Sequence, residues 1–397
     1  MARRLGAVML FEATEYAARL KRVRARMARQ GVDLLVESDP ANMFYLSGYD
    51  GWSFYIPQAV IVPVGEEEPL WIGRGLDVNG ARLTSWLKRE NILAYPEDLF
   101  ERADRHPMQF FAAEIERRGW GKGTVGIARD CQAMTARSRD ALMAALPNAR
   151  FKDSDGIVNW ERLVKSPAEL AYMRDAARIT ERLMAAFFES VRPGVRECDA
   201  AAIVQKVATE GTPDFAGDYP ASIPFFACGP NTATTHLTWS ERRFGANETA
   251  ILQASGVRRR YHAPMARTMQ LGKPPAKLVE MDKIVRGGMD ETMAVAKPGA
   301  ACEAVEAVWR AALARHGLTK ESRIAYPVGI GYPPDWGERT ASFRPGDTTV
   351  LAPDMTFHLF LGMWTEDWGF AVSETIHITA RGAEALAAVP RALRVEA

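Results

Sequence analysis

Apolar residues recur at helical spacing across residues 13–31, where Tyr16, Leu20, Val23 and Met27 fall on one face and Gly31 can end the helix. Short apolar runs follow at VDLLVE (32–37), QAVIVPV (58–64), PLWIG (69–73) and TVGIA (124–128), and their length and β-branched content predict strands. Helical patterns lie between them near 76–88, 107–118 and 133–145. Strand and helix in alternation predict an α/β layer domain over residues 1–159. The stretch FYLSGYDGWSFYIP (44–57) breaks the rhythm. It holds too many turn residues for a regular strand, and its rings either pack or meet a ligand.

Around Trp160 the pattern changes. ERLVKSPAELAYMRDAARITERLMAAFFESV reads as a long helix, with Ser166-Pro167 and Glu169 giving an N-cap, a first-position proline and an early acid. A stop at Pro193-Gly194 and a second helix at 197–210 follow. The same grammar returns in MDKIVRGGMDETMAVA (281–296), the stop Pro298-Gly299 and a helix at 302–316. Apolar β runs come after each copy, so residues 160–397 predict an internally duplicated α+β domain.

Composition narrows the function classes. Fifty basic against 49 acidic residues leave a net charge of +1, with no basic stripe for a nucleic acid. Cys131, Cys198, Cys228 and Cys302 stand far apart with no CxxC spacing, which fits reduced thiols in a cytoplasmic protein. Arg3-Arg4 and GAVML resemble the opening of a leader peptide, but the apolar run is short and Glu12 and Glu15 follow. No stretch approaches the roughly 20 apolar residues of a membrane helix.

The segment AILQASGVRRRYHAPMARTMQLG (250–272), the entry helix RLVKSPAEL and the duplicated helix–Pro-Gly–helix unit together resemble the creatinase/aminopeptidase, or pita-bread, family. The resemblance covers essentially the whole chain. It implies a creatinase-like N-terminal α/β domain followed by an internally duplicated pita-bread domain. Metal-dependent members carry five ligands on this frame. Their two aspartates become Gln253 and Pro264, although the Arg-Thr that follows the second survives as Arg267-Thr268. The histidine of G-H-G-I-G becomes Val328 in PVGIG, and the first glutamate becomes Phe360 in DMTFHLF. The last glutamate remains as Glu374 in VSETIHIT. Valine, proline and phenylalanine carry no donor for a divalent ion, so neither metal nor cofactor is expected.

Within the family, ANMFYLSGYDGWSFY (41–55), RRRYHAPMART (258–268) and GIGYPPDWGERT (329–340) resemble ectoine hydrolases. That resemblance implies metal-independent opening of the cyclic amidine of ectoine to N-acetyl-2,4-diaminobutyrate, by a homodimer with no nucleic-acid or membrane partner. Two other readings stay open: a creatinase-like enzyme acting on another small zwitterion, and a non-catalytic module that binds peptides.

An amidinium with a carboxylate needs an acid near its ring and a donor for its own carboxylate. Strand alternation places Gln253 with Ser255, His358 with Phe360, and Glu374 with Val372 and Ile376. Gln253, Phe360 and Glu374 stand at former ligand positions, so those faces are expected to line the cavity. His236, in CGPNTATTHL, matches the family's pocket histidine, which implies proton transfer or substrate contact. The expected catalytic set is therefore His236, Gln253 and Glu374. Trp52, Phe54, Tyr55, Tyr332, Asp335, Trp336, Glu338 and His358 are the expected substrate contacts, with Trp336 able to stack on the flat ring. Gln253 is the anomaly, because a neutral amide neither offsets an amidinium nor attacks it well. Either a carboxylate belongs there and glutamine traps the substrate, or the amide only hydrogen-bonds the ring.

Overall fold

The computed structural model describes residues 9–154 and 156–396. The leader-like Arg3-Arg4 stretch lies outside them. Two compact units divide between Arg162 and Leu163.

The first unit opens with α1 (Ala13–Gln30), which buries Tyr16, Leu20, Val23 and Met27 as the periodicity predicts. Gly31 ends it at φ 66°, a left-handed conformation that glycine adopts without strain. Next come β1 (Leu34–Glu37), α2 (Pro40–Ser47), β2 (Ala59–Pro63), β3 (Leu70–Arg74), α3 (Val78–Thr84) and β4 (Ile92–Tyr95). The unit closes with α4 (Met108–Arg117), β5 (Thr124–Ile127), α5 (Ala136–Ala145), β6 (Arg150–Asp153) and α6 (Ile157–Arg162). Among the described residues the strands form one mixed sheet in the order β4-β3-β2-β1-β5-β6, with β1 antiparallel to β2 and parallel to β5. Leu34, Val36, Ile61, Ile72, Phe111, Val125 and Leu142 meet in its core.

The aromatic stretch is part helix. Asp39 accepts from Ala41 N and Asn42 N with Pro40 at the first position, so α2 takes up Phe44 and Tyr45 as buried residues. The loop that follows exposes Trp52 and Tyr55. Strand β4 reads ILAY, a short apolar run, whereas β6 reads RFKD and lies half open at the sheet edge.

The second unit begins with α7 (Pro167–Ser190). Ser166 Oγ accepts from Glu169 N, and the Glu169 carboxylate accepts from Ser166 N, forming the expected capping box. Then follow α8 (Glu197–Glu210), β7 (Phe225–Cys228), β8 (Thr249–Arg258), β9 (Tyr261–Leu271), α9 (Ala276–Val295) and α10 (Cys302–Ala314). The remaining strands are β10 (Ala325–Tyr332), β11 (Asp335–Gly337), β12 (Thr356–Trp364), β13 (Gly369–Thr379), β14 (Gly382–Ala385) and β15 (Arg394–Glu396). The main sheet runs β14-β13-β12-β10-β9-β8-β7. Helix α7 lies hard against the β8–β9 hairpin: a Cβ on Gly256 would meet Ala176 O at 2.3 Å. Thr180 Oγ1 fastens this contact, accepting from Gly256 N and donating to Ala263 O.

The sheet curls so that the middle of β9, past its single β10 pair at Tyr261, approaches the part of β13 that precedes its β14 pairs at Ile376, and there side chains replace a backbone ladder. Ser373 Oγ accepts from Ala266 N at 2.6 Å, Thr375 Oγ1 donates to Pro264 O, and Thr268 Oγ1 joins both polar groups of Ala371. Buried N–H and C=O groups need such partners, and three hydroxyls supply them. Among the described residues no helix is long and apolar enough to cross a membrane.

Candidate active site

The former ligand positions converge on the interior face of this curl. In the β8–β9 hairpin, Gln253 pairs with Ala266 and Ser255 with Pro264. Ile251, Ala266, Ala371 and Phe360 form one apolar cluster. Gln253 lies two residues from Ile251 and Ser373 two from Ala371, so strand alternation puts both on this face.

The β12–β13 register corrects the expectation for Glu374. Phe360 pairs with Ser373, whereas Glu374 pairs with Leu359 on the opposite face. The turn Thr365–Trp368, closed by Thr365 N donating to Trp368 O, sets that register, and its length is not legible as a pattern. Glu374 is 1% exposed, and its Oε1 accepts from Arg267 Nη2 at 2.7 Å and Arg391 Nε at 2.9 Å. It anchors the reverse side of the sheet.

Ser373 stands where Glu374 was expected and enters a buried polar chain. His358 Nε2 lies 2.7 Å from Ser373 Oγ, and His358 Nδ1 lies 2.8 Å from the Tyr326 hydroxyl. Trp336 Nε1 donates to that hydroxyl at 2.9 Å. Indole and backbone N–H groups only donate, so Tyr326 and Ser373 each receive one fixed hydrogen bond. His358 has one ring hydrogen when neutral and passes it to one of the two hydroxyls; the other hydroxyl donates back. Burial pushes its pKa from 6.5 down to about 3, so the ring is neutral at physiological pH. His262 behaves likewise, at about 3: its Nε2 accepts from Ala221 N, and its Nδ1 donates to Arg260 O.

Gln253 is 6% exposed, and its side-chain amide makes no hydrogen bond among the described residues. Its cross-strand neighbour Phe225 meets the His236 ring edge-on at 5.2 Å, so Phe225 joins the expected base to Gln253. His236 itself is exposed. On the other flank the Phe360 ring stacks on His358 at 5.3 Å. Lys320 Nζ donates to Phe360 O and Gly362 O, beside the Phe360 and Trp364 rings. No carboxylate pairs with Lys320 among the described residues, and burial lowers its pKa to about 7.

The remaining expected contacts scatter. Glu338 forms a buried ion pair with Lys165 at 2.9 Å, both side chains 1% exposed, so its charge is spent internally. Trp336 is buried, with its ring against His358 and His262. Tyr332 is also buried, and Asp335 is exposed, accepting from Gly337 N. Trp52, Phe54 and Tyr55 belong to the first unit. Ser373, Tyr326, Phe225 and Lys320 escaped the sequence reading. The Ala371-Ser373-Thr375 alternation was the available sign for Ser373; the others carry no motif.

A curled pita-bread sheet with an α/β domain ahead of it in the sequence, and the polar chain of Ser373, His358 and Tyr326 on the face of Gln253, define a hydrolase of the creatinase/prolidase class. The sequence bears this out. Residues 171–380 match Metallopeptidase family M24 and residues 19–164 match the Creatinase/Prolidase N-terminal domain, and the chain belongs to family M24. It is 43% identical to the ectoine hydrolase of Halomonas elongata, over 97% of this chain and 98% of that one. It is 41% identical to an uncharacterised hydrolase/peptidase of Sinorhizobium fredii, over 98% and 99% of the two chains. The fold superposes on a prolidase from Thermococcus sibiricus with a TM-score of 0.83 at 17% identity, over 97% of this chain and 100% of that one. The family name implies a metal, and the residues here do not fit one. Gln253, Pro264, Val328, Phe360 and Ser373 offer an amide and a hydroxyl among three side chains with no donor. Among the described residues no three His, Cys, Asp or Glu side chains gather as a metal site.

Proposed function

We propose that this chain binds the cyclic amidinium of ectoine and hydrolyses it without a metal to N-acetyl-2,4-diaminobutyrate. The observation that carries this reading is Gln253, an almost fully buried amide with no internal partner, beside the neutral His358–Ser373 chain. Its carbonyl accepts an N–H of the ring. Lys320, a cation with no paired carboxylate beside Phe360, suits the substrate carboxylate, and the likeness to ectoine hydrolase supplies the substrate.

Water attacks the amidinium carbon, its proton passes to His236, and the ring C–N bond breaks as the leaving nitrogen takes that proton. A carboxylate at 253 would do more. It would balance the charge and attack the carbon itself, giving an acyl-enzyme that water then cleaves.

The test follows ectoine by NMR with the chain as it stands and with Gln253→Glu, each with and without a chelator. Gln253→Glu is expected to raise kcat by about 10⁴-fold, the scale of a missing nucleophile, and chelation to change neither rate. Equal rates in the two chains would end the covalent route. One equivalent of transition metal lost together with activity would end the metal-free reading.

A further inference from the structure

Glu374 does not line the face of Gln253, yet one of its oxygens has no partner. Oε1 takes both arginines, while Oε2 is buried and accepts no hydrogen bond among the described residues. Beside it lies a groove of about 560 Å³, open to solvent on one side and walled by α9 and the segment 387–392. That volume falls in the range of small-molecule sites. A carboxylate oxygen cut off from water calls for a donor, and the groove is where one can enter.

The rest of the lining says what else that donor carries. Arg286 sends Nε and Nη2 to Asp282, which leaves its Nη1 without a hydrogen bond among the described residues. Arg391 sends Nε to Glu374 and Nη1 to Asp290, and its Nη2 faces only the Met293 sulfur, a weak acceptor. Two guanidinium edges are thus open to an anion beside an oxygen open to a cation. Ala387, Val389, Pro390 and Ala392 supply an apolar wall between them.

We propose that this groove is a second binding site, on the reverse of the sheet from Gln253, for a small zwitterion of amino-acid type. The ligand's ammonium or amidinium donates to Glu374 Oε2, and its carboxylate takes Arg391 Nη2 and Arg286 Nη1. Arg267 ties the site to the opposite face, because it also donates to Ser373 O and Ala266 O.

The experiment uses the full chain with three probes: 4-aminobutyrate, which has both charges, butylammonium, which has the cation, and butyrate, which has the anion. Binding is read by calorimetry and located by hydrogen exchange. 4-Aminobutyrate is expected to bind at least tenfold more tightly than either half, protecting the peptides covering 369–379 and 386–393. Arg286→Ala, at the rim, is expected to weaken it about tenfold by losing a charged hydrogen bond. Glu374→Gln, which turns the acceptor into a donor, is expected to abolish it. If Glu374→Gln fails to fold, Arg286→Ala alone decides. The proposal is overturned by no binding of any probe, by butylammonium binding as well as 4-aminobutyrate, or by protection confined to 250–266.

Discussion

Acidification from pH 7 to pH 5 is expected to destabilise the second unit and stabilise the first. In the second, His262 and His358 are held near pKa 3 by burial and titrate near 6.5 once unfolded. Between those values the unfolded chain binds more protons, so stability is lost as the pH is lowered. Integration over this window gives about 2 kcal/mol for each ring and about 4 kcal/mol for the pair. Lys320, already near its folded pKa of about 7, adds under about 1 kcal/mol in the same direction. With an unfolding entropy of about 2 cal/mol/K per residue, the span Leu163–Ala397 loses about 8 °C in Tm. In the first unit, burial raises Glu37 to about 8, so the folded unit holds a proton that the unfolded chain releases above about 4.5. Acid therefore adds about 2 to 3 kcal/mol there. The window stops at pH 5 because carboxylates such as Asp199, held low by Arg196, start to lose their contribution below it. Hydrogen exchange resolved by peptide at pH 7 and pH 5 reads the two units apart. His358→Gln should keep the fold and remove about half of the second unit's slope. A slope unchanged in His358→Gln, or two units moving in the same direction, would refute the argument.

Three further outcomes follow from named contacts. Ectoine affinity should weaken as pH rises through 7, where Lys320 loses its proton; Lys320→Arg should flatten that profile, and Lys320→Met should weaken binding at every pH, all by calorimetry. Gly256→Ala should cost about 1 to 3 kcal/mol or more in urea unfolding, because the new methyl meets Ala176 O and the core has no room to yield. We also assign the exposed Trp52 and Tyr55, 56% and 76% accessible, to contact with a second copy of this chain. Sedimentation should show a dimer that Trp52→Ser with Tyr55→Ser weakens, and a monomeric parent chain would refute that assignment.

Much of the fold was legible because it rests on local signals. The Tyr16–Met27 stripe, the Ser166–Glu169 cap and the Pro-Gly stops each act within a few residues, and α1, α7 and α8 lie where they point. Strand β6 was not legible, since an edge strand reading RFKD takes its order from its neighbour rather than from an apolar run, and β4, only four residues of ILAY, is too short to separate from a loop. At the site, Gln253 and Phe360 share a face as alternation predicts. Glu374 misled because its place depends on the turn at Thr365–Trp368, and a shift of one residue sends every side chain of a strand to the other face. The polar chain through Tyr326, His358 and Ser373 joins residues from two hairpins, and no linear motif records such a meeting.

The hydroxyl stitches between β9 and β13 also limit what the ligand positions tolerate. A glutamate at Ser373 would carry its acceptor oxygens two bonds further from the backbone, away from the place where Ser373 Oγ now joins Ala266 N and His358 Nε2. A carboxylate at Phe360 would strip the ring that packs on Ile251 and His358. Each of these single substitutions thus breaks an interaction that now holds the sheet closed. The residues at the ligand positions thus serve the closure of the sheet as well as the site.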